Sequence, residues 1–148
     1  MSLKYLILFL FFSQVLSAQK KSEPVKIAEA TEQQWFSGVR GGGTGTNYVV
    51  KLYIETAEKI EFKNMWIGDV NVPFNLEYFK LKPPAKLNPG DSLLLVYRRI
   101  NQKSQDNASA KRLPIQYNGS ALIEYLQGKR ARYLIVKSFT KKAPLMGQ

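Results

Sequence analysis

The amino-acid sequence predicts an all-β fold, an antiparallel β-sandwich of about seven to nine strands. Three observations predict it. Apolar and polar side chains alternate over short runs, which is typical of strands with one buried face. Glycine, proline and asparagine recur between these runs, as tight turns require. No stretch shows a clear helical periodicity. A small β-barrel is the second choice.

The first predicted strand covers residues 25–38, with an interruption near Glu32-Gln33-Gln34. The glycine-rich run 41–45 ends it, because glycine lacks the steric limits that favour regular structure. The clearest strand follows at Thr46–Thr56, where β-branched and aromatic residues alternate with polar ones. Its buried face would carry Tyr48, Val50, Leu52 and Ile54.

The range Ile60–Tyr78 predicts two strands joined by a tight hairpin at Gly68-Asp69. Trp66 is in phase with Phe62 on the first of them, so we expect it in the core. Pro73 has no N–H to donate to a ladder, which predicts an edge strand or a bulge. Turn residues follow at Lys82-Pro83-Pro84 and Asn88-Pro89-Gly90-Asp91.

The dense apolar run Ser92–Ile100 predicts a strand that is buried on both faces at its centre. Residues 101–112 are polar and are expected to form a long exposed loop. Asn118-Gly119 is a strong two-residue hairpin signal, and it would join a strand at Ile115–Tyr117 to the next one.

The last predicted hairpin pairs Ala121–Leu126 with Ala131–Phe139 around Gln127-Gly128-Lys129. A helix over Ala121–Gln127, capped by Gly128, is the alternative. The strand order and lengths resemble an immunoglobulin or fibronectin type III sandwich. That resemblance is architectural, covers residues 25–139 loosely, and implies no function.

The N-terminus predicts export. One cation, an apolar run of about a dozen residues and the small pair Ser17-Ala18 are typical of a secretory signal peptide over residues 1–18. The run is shorter than the ~20 apolar residues of a spanning helix. We expect residues 19–24 to be a flexible lead, 25–139 a single domain and 140–148 a loose tail. The protein would therefore be periplasmic, on the cell surface or secreted.

The composition excludes several classes of enzyme. The chain contains no histidine and no cysteine. It therefore lacks the usual general base near neutral pH, a Ser-His-Asp triad, a thiol nucleophile and the usual zinc ligands. We predict no enzymatic activity and no cofactor. The formal net charge is +11, which favours anionic partners such as acidic polysaccharide, envelope phosphates or an acidic protein.

Two regions are candidate contact surfaces. The first is the glycine-rich loop, whose backbone N–H groups beside an arginine could hold an anion, together with the tryptophan that precedes it. The second is a basic hairpin with a neighbouring tyrosine, since Lys and Arg contact phosphates well. Arg98, Arg99, Lys111 and Arg112 add further cations. The predicted binding residues are Trp35, Arg40, Gly42, Gly43, Thr44, Lys129, Arg130, Arg132 and Tyr133.

The predicted function is a non-catalytic binding or accessory module of the cell envelope or extracellular space, with an anionic or protein partner. Export and the lack of a nucleic-acid fold signature argue against nucleic acid. A carbohydrate-binding module using exposed aromatic rings is the alternative. A carboxylate-based hydrolase is the third, in which Glu55 and Glu61 could approach each other across a turn. The fourth is a structural subunit that adds a strand to a partner at an edge near Pro73 or the N-terminal strand. The oligomeric state is left open.

Overall fold

The computed structural model describes residues 23–79, 84, 86–101 and 111–147. The predicted signal peptide, most of the predicted lead, and residues 102–110 of the predicted loop lie outside this part of the chain. The described residues form nine strands and no helix. The strands are β1 (Val25–Phe36), β2 (Thr44–Ile54), β3 (Ile60–Ile67), β4 (Val70–Val72), β5 (Asn75–Tyr78), β6 (Ser92–Ile100), β7 (Ala121–Gln127), β8 (Arg130–Val136) and β9 (Thr140–Met146).

The nine strands form two sheets that pack face to face, so the predicted β-sandwich is confirmed. The long sheet has the order β5-β6-β2-β1-β9, and the short sheet has the order β4-β3-β7-β8. Every neighbouring pair is antiparallel except β1 and β9, which run parallel. The first predicted strand is continuous through Glu32-Gln33-Gln34, and its one pairing irregularity with β2 lies earlier, between Ile27 and Glu29.

The core lies between the inner faces of the two sheets, where period-two alternation brings aliphatic side chains together. On β6, Leu93 and Leu95 are fully buried, whereas Leu94 and Val96 on the opposite face are half-buried. The prediction that this strand is buried on both faces is therefore only partly correct. The fully buried core side chains include Val25, Val50, Leu52, Ile54, Met65, Leu93, Leu95 and Ile123.

Proline breaks one predicted strand into two. The expected second strand of the hairpin at Gly68-Asp69 divides at Pro73 into β4 and β5, which lie in different sheets. Because proline cannot donate a ladder hydrogen bond, the chain leaves the short sheet there and enters the long one. Both β4 and β5 lie at sheet edges, as the prediction for Pro73 required.

Trp66 is fully buried, but on the outer face of the short sheet and not in the core between the sheets. A bulge between Phe62 and Asn64 shifts the register by one residue, so Met65 faces the core in its place. Such a shift moves every later side chain to the opposite face. The indole Nε1 of Trp66 donates to the backbone oxygen of Lys111 at 3.3 Å, so the end of the predicted loop contacts the indole.

Two predictions for the C-terminal half are wrong. Residues 115–117 do not form a strand, because their segment crosses the outer face of the short sheet, where the Tyr117 hydroxyl donates to the oxygen of Gly68. The predicted loose tail over residues 140–148 is wrong for residues 140–146, since these form β9, which pairs with residues 31–36 of β1, and Gln33 Nε2 donates to the oxygen of Ala143 at 2.7 Å. The hairpin of β7 and β8 is confirmed, and the alternative helix over residues 121–127 is wrong.

Candidate functional site

The two predicted contact surfaces lie at opposite ends of the sandwich. We call the end near Ile54 and Ile60 the lower end, and the end near Phe36 and Thr44 the upper end. The basic hairpin is at the lower end, because Gly128 donates its N–H to the oxygen of Lys59 at 2.9 Å. The glycine-rich loop joins β1 to β2 at the upper end. The two surfaces therefore cannot form one site.

The glycine-rich loop is a compact turn that uses its own backbone groups. Gly41 and Gly43 both have a φ of 82°, a conformation that glycine adopts without strain. Ser37 N–H donates to Gly43 O at 3.0 Å, and Gly42 N–H donates to Val39 O at 2.9 Å. These bonds engage the Gly42 donor that an anion nest would need. Arg40 is exposed and Thr44 is half-buried, and anion binding by this loop stays a prediction.

Trp35 is buried against the outer face of the long sheet and is only 6% exposed. Its ring packs over Gly45, where a Cβ would come within 2.5 Å of the indole. The guanidinium of Arg98 covers the other side, 4.4 Å from the ring centroid. The ring is therefore not an exposed platform for a sugar, and its main role in this structure is packing.

The basic hairpin divides its residues between two faces. Lys129 and Arg130 are exposed at the turn, whereas Arg132 is half-buried on the inner side near Tyr125. Tyr133 lies on the outer face opposite Glu124, its cross-strand neighbour on β7. Burial and this neighbouring carboxylate raise the pKa of Tyr133 above its ordinary value.

The sequence pattern did not identify the groove where the long sheet extends beyond the short one. Strands β1 and β2 contain 12 and 11 residues, whereas β7 and β8 each contain seven. The chain crosses from the short sheet to the long one after β8, and Phe139 packs edge-on against Tyr48 at a centroid distance of 5.2 Å. Above this crossing, the inner face of the long sheet is open.

Side chains on this open inner face change from aliphatic to polar and aromatic at the same level on three strands. The register places Ala30, Val50 and Leu95 in one row, and Glu32, Tyr48 and Tyr97 in the next. A further row holds Gln34, Thr46 and Arg99. A groove of about 430 Å³, which we call the overhang groove, is lined by Glu32, Gln34, Thr46, Tyr48, Lys141, Lys142 and Pro144.

Tyr48 is the aromatic residue that lines the groove, and Tyr97 stacks against it from the neighbouring strand. The rings of Tyr48 and Tyr97 are nearly parallel, with an interplanar angle of 13° and centroids 6.0 Å apart. Both are half-buried. Cross-strand neighbours on one face are held by the ladder, so the positions of these rings are fixed by the sheet and not by a loop.

The charge around the overhang groove is mostly positive. Lys141 and Lys142 line it from β9, and Arg99 follows Tyr97 on the same face of β6. Among the described residues that line it, Glu32 is the one carboxylate, and the Lys141 ammonium lies 3.9 Å from its oxygen. Lys142 also lies 3.3 Å from Glu29. Exposed pairs of this kind contribute little energy, so the ammonium groups can exchange these carboxylates for a ligand.

The carboxylates proposed for hydrolysis are each paired with a lysine. Lys26 donates to Glu55 at 2.6 Å, and Lys63 donates to Glu61. The hydrogen bond and charge of Lys63 hold the pKa of Glu61 below its ordinary value. In the described part of the chain, no group of three or more acidic, histidine or cysteine side chains could hold a metal ion.

No known protein family matches this chain, and comparisons with curated proteins and with solved structures find no significant similarity. Within the described residues, no helix has the length and apolar character to cross a bilayer.

Proposed function

We propose that this protein is an exported, non-catalytic binding module that holds an acidic glycan in the overhang groove. The observation that supports the proposal most strongly is the row Glu32, Tyr48 and Tyr97, which places two nearly parallel rings beside a hydrogen-bonding carboxylate. Ligand sites commonly combine an apolar surface with a few fixed polar groups that set orientation.

The aromatic and polar groups suit the two sides of a sugar ring. The apolar C–H face of a pyranose can lie against the Tyr48 ring, which lines the groove and stacks on Tyr97, because aromatic surfaces bury apolar area well. The side chain of Glu32 in the same row, and those of Gln34 and Thr46 in the next row, supply acceptors and donors for hydroxyl groups. Both Trp residues are buried, so the tyrosines take the role that the sequence suggested for exposed rings.

The charge favours an acidic glycan over a neutral one. Lys141 and Lys142 flank the groove, Arg99 lies in the adjacent row, and the whole chain carries +11. A positive surface raises the local concentration of anionic ligands and strengthens hydrogen bonds to carboxylate or sulfate oxygens. This combination unites the anionic partner and the carbohydrate ligand that the sequence analysis kept as separate hypotheses.

Binding without hydrolysis is the simpler function for this groove. Most glycoside hydrolases need two carboxylates that flank the scissile bond. The described lining supplies Glu32 alone. Export depends on the predicted signal peptide and gives the module access to glycans outside the cytoplasm.

The experiment is a calorimetric titration of residues 19–148 against polygalacturonate, a sulfated glycan, a neutral glucan and polyphosphate. We expect the acidic glycans to bind, the neutral glucan to bind more weakly, and bound acidic glycan to remain unhydrolysed. Lys141→Glu should weaken acidic-glycan binding by about tenfold or more. Gln34→Ala, which changes an exposed side chain, should weaken it by a smaller factor.

Matched variants at the lower end and elsewhere control for charge and composition. Lys86→Glu makes the same charge change at an exposed site away from the groove, and Gln116→Ala removes an exposed amide on another surface. Both should bind like the wild type. Equal losses in Lys141→Glu and Lys86→Glu would mean that net charge alone drives binding, and absence of glycan binding would refute the proposal.

A further inference from the structure

Strand β8 is an edge strand with a free side. It pairs with β7 along seven residues, and in the described part of the chain no strand pairs with its other side. An open edge presents a row of backbone N–H and C=O groups that another extended segment can pair with. Proteins usually protect such edges with short strands, lysine or proline.

The other three edges have such protection, whereas on β8 the charged residues Arg130 and Arg132 lie only in the first half of the strand. Strand β4 is three residues long and β5 is four. Strand β9 carries Lys141, Lys142 and Pro144 within its length. The last four residues of β8, Tyr133-Leu134-Ile135-Val136, contain no charge, and Ile135 is 42% exposed.

The free side of β8 borders a groove that could hold one extended chain. Strand β9 pairs with β1 from Thr31 onward, so within the described residues the earlier part of β1 pairs with no strand on that side, although β1 also contacts β8. Across a groove of about 450 Å³, Glu23, Lys26 and Ile27 face Tyr133, Leu134 and Ile135. An added strand along β8 would lie in this groove.

The charges at the two ends of β8 select the occupant. Lys129, Arg130 and Arg132 precede its uncharged segment at residues 133–136, and Lys137 follows that segment. A second copy of this chain would place these cations against each other. In antiparallel pairing, Lys137 of one copy would face Lys129 of the other. In parallel pairing, each cation would face the same residue of the second copy. Like charges directly opposite each other destabilise a sheet. An acidic segment would meet opposite charge at both ends.

We propose that β8 is a docking strand for an extended segment of a partner protein, with alternating apolar residues at its centre and acidic residues at both ends. The segment would add a fifth strand to the short sheet and cover Ile135. Main-chain hydrogen bonds would provide the general affinity, and the flanking charges would provide the selectivity. This surface is separate from the overhang groove, so the inference does not depend on glycan binding.

The test uses residues 19–148 and two synthetic peptides, DEVTITVED and its charge-reversed counterpart KKVTITVKK. Fluorescence anisotropy should show that the acidic peptide binds at least about tenfold more tightly than the basic one. Hydrogen exchange followed by NMR should show slower exchange of β8 amides on adding the acidic peptide, because the free edge becomes paired.

Variants on two edges separate strand addition from general charge attraction. Ile135→Lys places a charge in the uncharged half of the free edge and should weaken acidic-peptide binding by about tenfold or more. Val70→Lys makes the equivalent change at a residue that is 44% exposed on the short edge strand β4, and it should bind normally. The double variant Lys129→Glu/Arg130→Glu should weaken acidic-peptide binding without changing the midpoint of thermal unfolding. It therefore tests the proposal even if Ile135→Lys folds poorly.

Three outcomes would overturn the proposal. They are equal binding of both peptides, equal affinity of Ile135→Lys and Val70→Lys, and a dimer in sedimentation equilibrium that Ile135→Lys dissociates. The last outcome would identify a second copy of this chain as the occupant. Gln34→Ala, which should weaken glycan binding, should leave peptide binding unchanged. Failure of the docking-strand proposal is therefore distinguishable from failure of the glycan proposal.

Discussion

The inner face of the long sheet has a lower and an upper half, and both are formed by strands β1, β2 and β6. The lower half is covered by the short sheet, and the upper half is not. In the lower half, Val50, Leu52 and Leu95 are fully buried beneath the short sheet. In the upper half, Glu32 and Gln34 continue the same face of β1 without such a cover. The difference shows that strand pairing can extend past the core, and that the side chains then become available for binding.

The upper half compensates for the missing inner cover by packing on its outer face. Trp35 lies over Gly45 and beneath Arg98 at the level where the inner face is open. The sheet is thus buried from the inside at its lower end and from the outside at its upper end. This arrangement can keep the overhang groove rigid without filling it.

The largest expected effect tests this outer packing. Trp35→Ala should lower the free energy of unfolding by about 4 kcal/mol, because truncation of a buried tryptophan leaves a large cavity. Arg98→Ala, which removes only the exposed cation over the ring, should cost about 0.5–1 kcal/mol. Urea unfolding measures both. A change below about 1 kcal/mol for Trp35→Ala would contradict the packing role and favour the predicted role in partner contact.

The next effect compares the two halves directly. Leu52→Ala removes a fully buried side chain in the lower half and should cost about 3 kcal/mol. Gln34→Ala in the upper half should change the free energy of unfolding by no more than about 0.5 kcal/mol, since its side chain is exposed. Equal costs in urea unfolding would mean that the upper half is part of the core.

A smaller effect tests the close contact that supports Trp35. A Cβ at Gly45 would lie 2.1 Å from the oxygen of Arg99 and 2.5 Å from the indole. We therefore expect Gly45→Ala to cost about 1–3 kcal/mol, since the strand or the ring must shift. The near-ultraviolet circular dichroism of the variant should change because the indole moves. Retention of both stability and spectrum would show that the Trp35 ring does not lie over Gly45.

Much of the fold could be predicted from local pattern, and the errors have physical causes. A dense apolar run identified β6, the turn residues Gln127-Gly128-Lys129 identified the β7–β8 hairpin, and alternation identified β2. It misplaced Trp66 because a bulge changes the phase without a strong sequence signal. It missed β9 because pairing of a lysine-rich strand depends on a distant partner, β1, and not on its own residues.

The candidate site was only partly visible in the sequence. The polar run Glu32-Gln33-Gln34 was interpreted as an interruption of the first strand, yet the strand continues and only its cover ends. This run of polar residues within a strand is the sequence feature that could have indicated the overhang groove. The groove itself could not be predicted, because it requires the register of three strands and the end of the opposite sheet.

The smallest expected effect concerns the tyrosine that covers the lower half from the short sheet. Burial raises the pKa of Tyr125 above its ordinary value of 10.0, Glu23 adds to this, and Arg132 opposes it. Because the raised pKa belongs to the folded state, the associated stability is present below pH 10 and is lost as the pH rises through the folded pKa. Tyr125→Phe should therefore lose less stability than the wild type in urea unfolding between neutral pH and strongly alkaline pH. An identical loss in both proteins would place the alkaline sensitivity elsewhere, with Tyr117 and Tyr133 as the next groups to substitute, since burial also raises the pKa of each.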